Sequence, residues 1–150
     1  MRPYFKICAT ALALTLSSTA LHAEIIHKTS PHSVVETMDR LEEAVTAAGA
    51  TVFARVDHAA GAQKVDMELR PTQLLIFGNP VLGTPAMQDD IRAGIVLPLR
   101  VLVYQDEDGD TQIAYEDVTD MFADFDIDAS AEYINKMRGA LQMFADKAVD

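Results

Sequence analysis

The chain has 150 residues and carries 12 Lys and Arg against 23 Asp and Glu, a formal net charge of −11. Such a surplus repels phosphate backbones and anionic membrane surfaces, so neither nucleic acid nor a lipid headgroup layer is an expected partner. Its single cysteine, Cys8, lies close to the start, so the remainder of the chain offers no disulfide, thiol nucleophile, thiolate metal site or iron–sulfur cluster.

The first segment, Met1 to Lys6, holds two positive charges and no acid. An apolar run from Ile7 to Leu16 follows, then a small, polar stretch from Ser17 to Ala23. That layout predicts a secretory signal peptide over residues 1–23, cleaved after Ala23, with cleavage after Ala20 fitting as well. The apolar run is far shorter than the roughly 20 residues a membrane-spanning helix needs, and Cys8 lies too deep in it for a lipid attachment site. Cleavage removes Arg2 and Lys6 and no acid, leaving 10 basic and 23 acidic residues and a net charge of −13. The expected location is the bacterial periplasm, with no stable membrane insertion after cleavage. Residues 24–150 make one domain, long enough to bury about two-thirds of its unfolded surface.

Glu24 to Thr29 reads as a first strand, broken by Ser30-Pro31-His32. Ser33 and Glu36 have capping-box spacing, and Val34, Met38, Leu41, Val45 and Ala48 then recur on one helical face. Gly49 is placed to stop that helix. Thr51 to Val56 is a second strand, closed by Asp57-His58. Ala59 to Arg70 carries no decisive pattern, although Val65, Met67 and Leu69 alternate with Asp66 and Glu68. Gln73 to Phe77 is a continuous apolar strand, expected to be central and covered on both faces or nearly so.

Gly78-Asn79-Pro80 turns the chain out of that strand. Thr84-Pro85 has the form of an N-cap with proline at the first helical position, predicting a short helix from Ala86 to Ala93 that ends at Gly94. Leu99 to Tyr104 and Gln112 to Tyr115 are two further strands, joined as a hairpin through Asp108-Gly109. An acidic stretch from Glu116 to Asp128 precedes a last helix starting near Ser130, with Ile134, Met137, Leu141, Phe144 and Ala148 on one stripe. The order is strand, helix, several strands with an inserted helix, then a final helix. It predicts an α+β fold in which two amphipathic helices pack on one face of an antiparallel sheet, leaving the other face open to water, to a ligand or to a second copy.

No set of residues amounts to a reaction. His27 and His32 lack metal-ligand spacing. His58, with Asp57 before it and Glu68 further on, could ligate a metal or move a proton, but adjacent strand residues point to opposite faces and the plainer reading is a structural histidine. Asp106-x-Asp108-Gly109-Asp110 resembles part of a calcium loop but has neither the glycine in register nor the closing glutamate, which leaves an acidic turn. The loop Gly78-Asn79-Pro80 with Gly83-Thr84-Pro85 could offer helix N–H groups to an anion, yet lacks the lysine and glycine spacing of a phosphate loop. Ser30, Ser33 and Ser130 stand at helix starts, where capping is their natural role. The many methionines suit core packing, or a soft lining for an apolar ligand.

Several short motifs in order carry a family resemblance: Asp57-His58-Ala59-Ala60-Gly61-Ala62, Leu69-Arg70-Pro71-Thr72, Leu75-Ile76-Phe77-Gly78-Asn79-Pro80, Gly83-Thr84-Pro85-Ala86-Met87, Leu97-Pro98-Leu99-Arg100-Val101-Leu102-Val103-Tyr104 and Tyr115. From about residue 30 onward the chain resembles the uncharacterised family called domain of unknown function 302. The resemblance implies a small α+β domain with a TATA-binding-protein-like layout in single copy, and a homodimer. It implies no reaction and no cofactor. Glu116-Asp117-Val118 stands where the family tends to have Asp-Pro after the tyrosine, so the local turn differs.

The expected function is that of a periplasmic homodimeric module binding a small or partly apolar ligand, with His58, Asn79, Arg100 and Tyr115 as candidate ligand-binding residues and no catalytic or metal site. The alternative is an interaction protein that docks on an envelope partner through its acidic face. A metal- or haem-dependent enzyme using His58 is the third reading. The balance leans away from an enzyme.

Overall fold

The structure is a computed structural model that describes residues 24–150; the predicted signal peptide, its cleavage point and Cys8 lie outside the described residues. Five strands form one antiparallel sheet: β1 (Ile25–Ser30), β2 (Thr51–Asp57), β3 (Thr72–Gly78), β4 (Leu99–Gln105) and β5 (Thr111–Glu116), in the spatial order β1-β5-β4-β3-β2. Two long helices, α1 (Val34–Ala47) and α5 (Glu132–Val149), pack together on one face of it. Three shorter helices, α2 (His58–Gln63), α3 (Pro80–Asp89) and α4 (Val118–Met121), and a 3-10 turn (Ile91–Ile95) complete the chain.

Strand parity sets the two faces. Leu75 and Phe77 of β3, Val101 and Val103 of β4 and Ile113 of β5 point toward the helices and are buried against Met38, Leu41 and Val45 of α1 and Ile134, Met137 and Leu141 of α5. Phe77 meets Phe144 edge to face, ring centroids 5.7 Å apart, the geometry the ring quadrupoles favour. The helical spacing of these apolar residues is what the sequence reading used, and the stripe expected of α5 is buried throughout.

Among the described residues no long helix covers the opposite face. Register places Val56, Leu74, Leu102, Ala114 and His27 side by side across all five strands. Leu74 and Ile76 are therefore half-buried, so β3, an inner strand, is fully covered on its helix side and partly covered on the other. The continuous apolar run in β3 serves a core face and an apolar open face at once.

Local chemistry explains most boundaries. Ser33 accepts the Glu36 backbone N–H at 3.2 Å, while the Glu36 carboxylate turns to Arg40, so only half of the capping box forms. Gly49 ends α1 with φ at 77°. In the β4–β5 hairpin Gly109 supplies φ of 91°, and Asp106 Oδ1 accepts the backbone N–H groups of Asp108 and Asp110.

Three further expectations change. The helix expected from Ala86 starts at Pro80, capped by Asn79, and Pro85 lies inside it; the segment beyond Asp90 is a 3-10 turn. Ser130 does not cap α5: its hydroxyl donates to Asp128 and the helix begins at Glu132 without a side-chain cap. Ala48, expected on the buried face of α1, is exposed just past the helix end.

Candidate functional site

Where β3 ends, Gly78-Asn79-Pro80 turns the chain straight into α3. Asn79 Oδ1 accepts the Val81 N–H at 2.9 Å, and Pro80 occupies the first turn, where its missing N–H costs nothing. The helix leaves at the end of the sheet rather than lying flat on it. Between α3, the middle of α5 and the ends of β3 and β4 a pocket of about 380 Å³ opens.

Its walls are apolar. Leu82 and Met87 come from α3, Leu97 from the approach to β4, and Met137, Met143 and Phe144 from α5. Among the described residues no Asp, Glu, Lys, Arg or His lines it; Asn79 and Thr84 supply the side-chain polarity. Asn79 spends its oxygen on the cap, and among the described residues its Nδ2 group has no protein partner. A cavity of this size, apolar with a few polar groups, suits a small organic molecule.

Phe53 forms one edge of the mouth. A register shift between Val52 and Ala54 makes a bulge at Phe53, and the bulge re-aims its ring toward the pocket. The ring stays 58% exposed. Gly78 permits its approach, because a Cβ there would stand 3.2 Å from Phe53 Cε2. Met38 and Met137 pack in the core as expected, and Met137 also borders this pocket together with Met87 and Met143.

At the end of α3 stands a pair that sequence reasoning missed. Asp90, 8% exposed, caps the 3-10 turn by accepting the Arg92 N–H, receives the Arg92 guanidinium at 2.5 Å, and accepts the Asp126 N–H at 3.1 Å. The Arg92 hydrogen bond foremost, then the Asp126 N–H, holds the Asp90 carboxyl far below the usual carboxylate range. The Asp-x-Arg spacing was the signal available in the sequence.

Of the four candidate residues, Asn79 lies on this pocket. Tyr115 lies on a separate, smaller cleft under α5, beside Ile26 and Lys28. Arg100 is on the open sheet face, 3.4 Å from Glu116. His58 is the first residue of α2 and is exposed; Asp57 caps that helix by accepting the Ala60 N–H at 2.8 Å. The four therefore do not converge on one cavity. Among the described residues no three His, Cys, Asp or Glu side chains are grouped to share a metal ion. In the acidic hairpin Asp106 is already engaged by two backbone N–H groups and by Gln112.

The family profile described as "Domain of unknown function DUF302" matches residues 26–144. A crystal structure of an uncharacterized conserved protein, DUF302, from Bacillus stearothermophilus superposes with a TM-score of 0.75, covering 83% of this chain and 97% of that one at 22% identity, a likeness of fold. Over 88 residues the chain is 44% identical to the fluoride-specific ion channel FluC 1 of Brucella suis biovar 1 (strain 1330), covering 59% of this chain and 35% of that protein. The match to FluC 1 of Brucella abortus biovar 1 (strain 9-941) is also 44% over 88 residues, covering 33% of that protein. The chain thus spans about a third of the length of the curated relatives it matches. Among the described residues no helix is long and apolar enough to cross a membrane.

Proposed function

The chain belongs to the DUF302 family, and from that premise we propose that it is an exported, periplasmic homodimer that retains a small, largely apolar molecule in the pocket beside Asn79. The observation that carries this reading is the cavity of about 380 Å³ without a charged wall residue, in a chain whose net charge is −11. A cavity so lined favours an uncharged ligand, since a buried ion there would find no partner. Nothing in the wall is placed to attack or protonate what it holds, so retention, not conversion, is the proposed activity. Export is supported by the tripartite pattern of residues 1–23.

The dimer is proposed to form through the open sheet face. Arg100 and Glu116 are the charged side chains that register places there, so the face is neutral on a strongly acidic chain. A second acidic copy meets less repulsion there than elsewhere, and the row Val56, Leu74, Leu102 and Ala114 gives it apolar surface to cover.

The binding reading is tested by fluorescence titration with the neutral probe 1-N-phenylnaphthylamine. The expected result is a saturable signal with one probe per chain, reduced at least tenfold by Ala140→Phe, which fills the pocket, and unchanged by His58→Ala, which lies outside it. A wild-type signal that does not saturate, or that survives Ala140→Phe in a folded protein, sinks the assignment.

A second reading draws on the Brucella proteins. Their names describe fluoride-specific ion channels, and the stretch they share with this chain is about a third of their length. That supports a module which docks on an envelope protein through its acidic face. Periplasmic crosslinking would then recover a salt-sensitive partner; recovery of self-dimer alone counts against it.

A further inference from the structure

We propose that the cleft over Tyr115 is a second binding site, separate from the apolar pocket, and that it takes a short-chain aliphatic carboxylate. It measures about 280 Å³ and lies at the β1 edge of the sheet, under α5. β5 pairs Tyr115 with Ile26 of β1, so both side chains form the floor on the helix-facing side. Val118, first residue of α4, closes one end. Arg138 and Gln142, one helical turn apart on α5, hang over it from above.

The phenol is the unusual group. Tyr115 is 6% exposed, and its hydroxyl has no hydrogen-bond partner among the described residues. It is not sealed away either: the one fully buried side-chain polar atom without a partner there is His32 Nε2. A core tyrosine ordinarily finds a partner for its hydroxyl. Here the ring is packed and the hydroxyl opens on the cleft.

The polar inventory of the cleft is weighted toward donors. Lys28 is committed to Asp146. Asp117 uses Oδ1 as the cap of α4, accepting from Thr119 and Asp120. Arg138 gives one Nη2 hydrogen bond to Asn135, leaving the rest of its guanidinium fork free. The Gln142 amide makes no hydrogen bond among the described residues. Arg138, Tyr115 and Gln142 thus offer unspent donors to a ligand that brings acceptors. Burial first, and Asp117 second, push the Tyr115 hydroxyl up, so it remains a donor through neutral pH.

Charge narrows the class. Asp117 repels a dianion such as phosphate, whereas a single carboxylate matches one guanidinium fork. Ile26 and Val118 leave room for a short alkyl body. The aliphatic monocarboxylate is the chemistry that satisfies all three constraints.

The test is a nitrogen-15 NMR titration of the folded protein with sodium butyrate at fixed ionic strength. The expected result is saturable shifts confined to residues 26–28, 115–118 and 138–142, at least tenfold weaker in Tyr115→Phe and in Arg138→Met. Arg138 is exposed, so its replacement leaves the fold intact as a control for Tyr115→Phe. Butyramide, which lacks the charge, is expected to bind at least tenfold more weakly. Absence of saturation, equal binding by Arg138→Met, or equal shifts with sodium sulfate would each overturn the proposal.

Discussion

The Tyr133 hydroxyl donates a 2.5 Å hydrogen bond to Asp89 Oδ2, joining the first turn of α5 to the last residue of α3. These two helices form facing walls of the apolar pocket, so the bond fixes one end of the opening between them. Burial first, then the hydrogen bond to the Asp89 carboxylate, pushes the Tyr133 phenol up to about 12. A raised folded value means that the stabilisation is whole below the unfolded tyrosine value of about 10 and is lost as the pH climbs from there toward about 12. Tyr133→Phe is expected to cost on the order of 1 kcal/mol at pH 8, with the gap to wild type closing at strongly alkaline pH. Urea denaturation across that range checks it, and a gap independent of pH would dissociate the stabilisation from the phenol proton.

Asp90 behaves with the opposite sign. Its folded value is depressed, so its contribution is complete above the ordinary carboxylate value of about 3.9 and is lost as the pH falls toward the folded value. Asp90→Asn keeps the shape, yet loses the charge that Arg92 meets. The variant is expected to be less stable than wild type at pH 7, and the difference to shrink below pH 4. Denaturation midpoints at pH 7 and pH 3 decide between this and a purely steric role.

Elements with strong periodicity were legible. The stripe Ile134, Met137, Leu141, Phe144 and Ala148 determined α5, and the turn Asp108-Gly109 determined the hairpin. The start of α3 was not, because Asn79-Pro80 and Thr84-Pro85 both read as a cap followed by proline. The first one governs, since Phe77 completes the core face of β3 and the chain must leave the sheet at once. Val65, Met67 and Leu69 alternate like a strand but have no strand to pair with, and all three are exposed.

The candidate site was legible in pieces. Arg100 and Tyr115 belong to neighbouring strands, but Arg100 meets Glu116 on the open face, and Tyr115, one residue before Glu116, points to the other face. Strand parity alone separates them. The apolar pocket draws on the end of α1, the bulge at Phe53, α3 and α5, segments that no local pattern links.

Phe53 provides a test of whether that pocket functions. Its ring is largely exposed, so Phe53→Ala removes little buried surface and is expected to change stability by less than about 0.5 kcal/mol. It also removes part of the pocket mouth. Binding of 1-N-phenylnaphthylamine is expected to weaken several-fold while the melting temperature stays within a degree or two of wild type. A large drop in melting temperature would show that the bulge is there for packing.

The open sheet face makes the last prediction. Leu102 is flanked by Leu74 and Ala114 in one cross-strand row, and Arg100 balances Glu116 in the next. If a second copy covers that row, Leu102→Asp places a carboxylate in the seam, where it has no partner and must be desolvated. Arg100→Glu leaves the apolar row untouched but turns a neutral face into one bearing two acids, on a chain already at −11. Both variants are expected to sediment as monomers at concentrations where wild type is a dimer, and added salt is expected to restore association in Arg100→Glu more than in Leu102→Asp. The two are separated because screening weakens repulsion between exposed charges and leaves a buried, unpaired carboxylate nearly as costly as before. A wild-type monomer at the same concentrations would remove the dimer from the proposal and leave the apolar row for another partner.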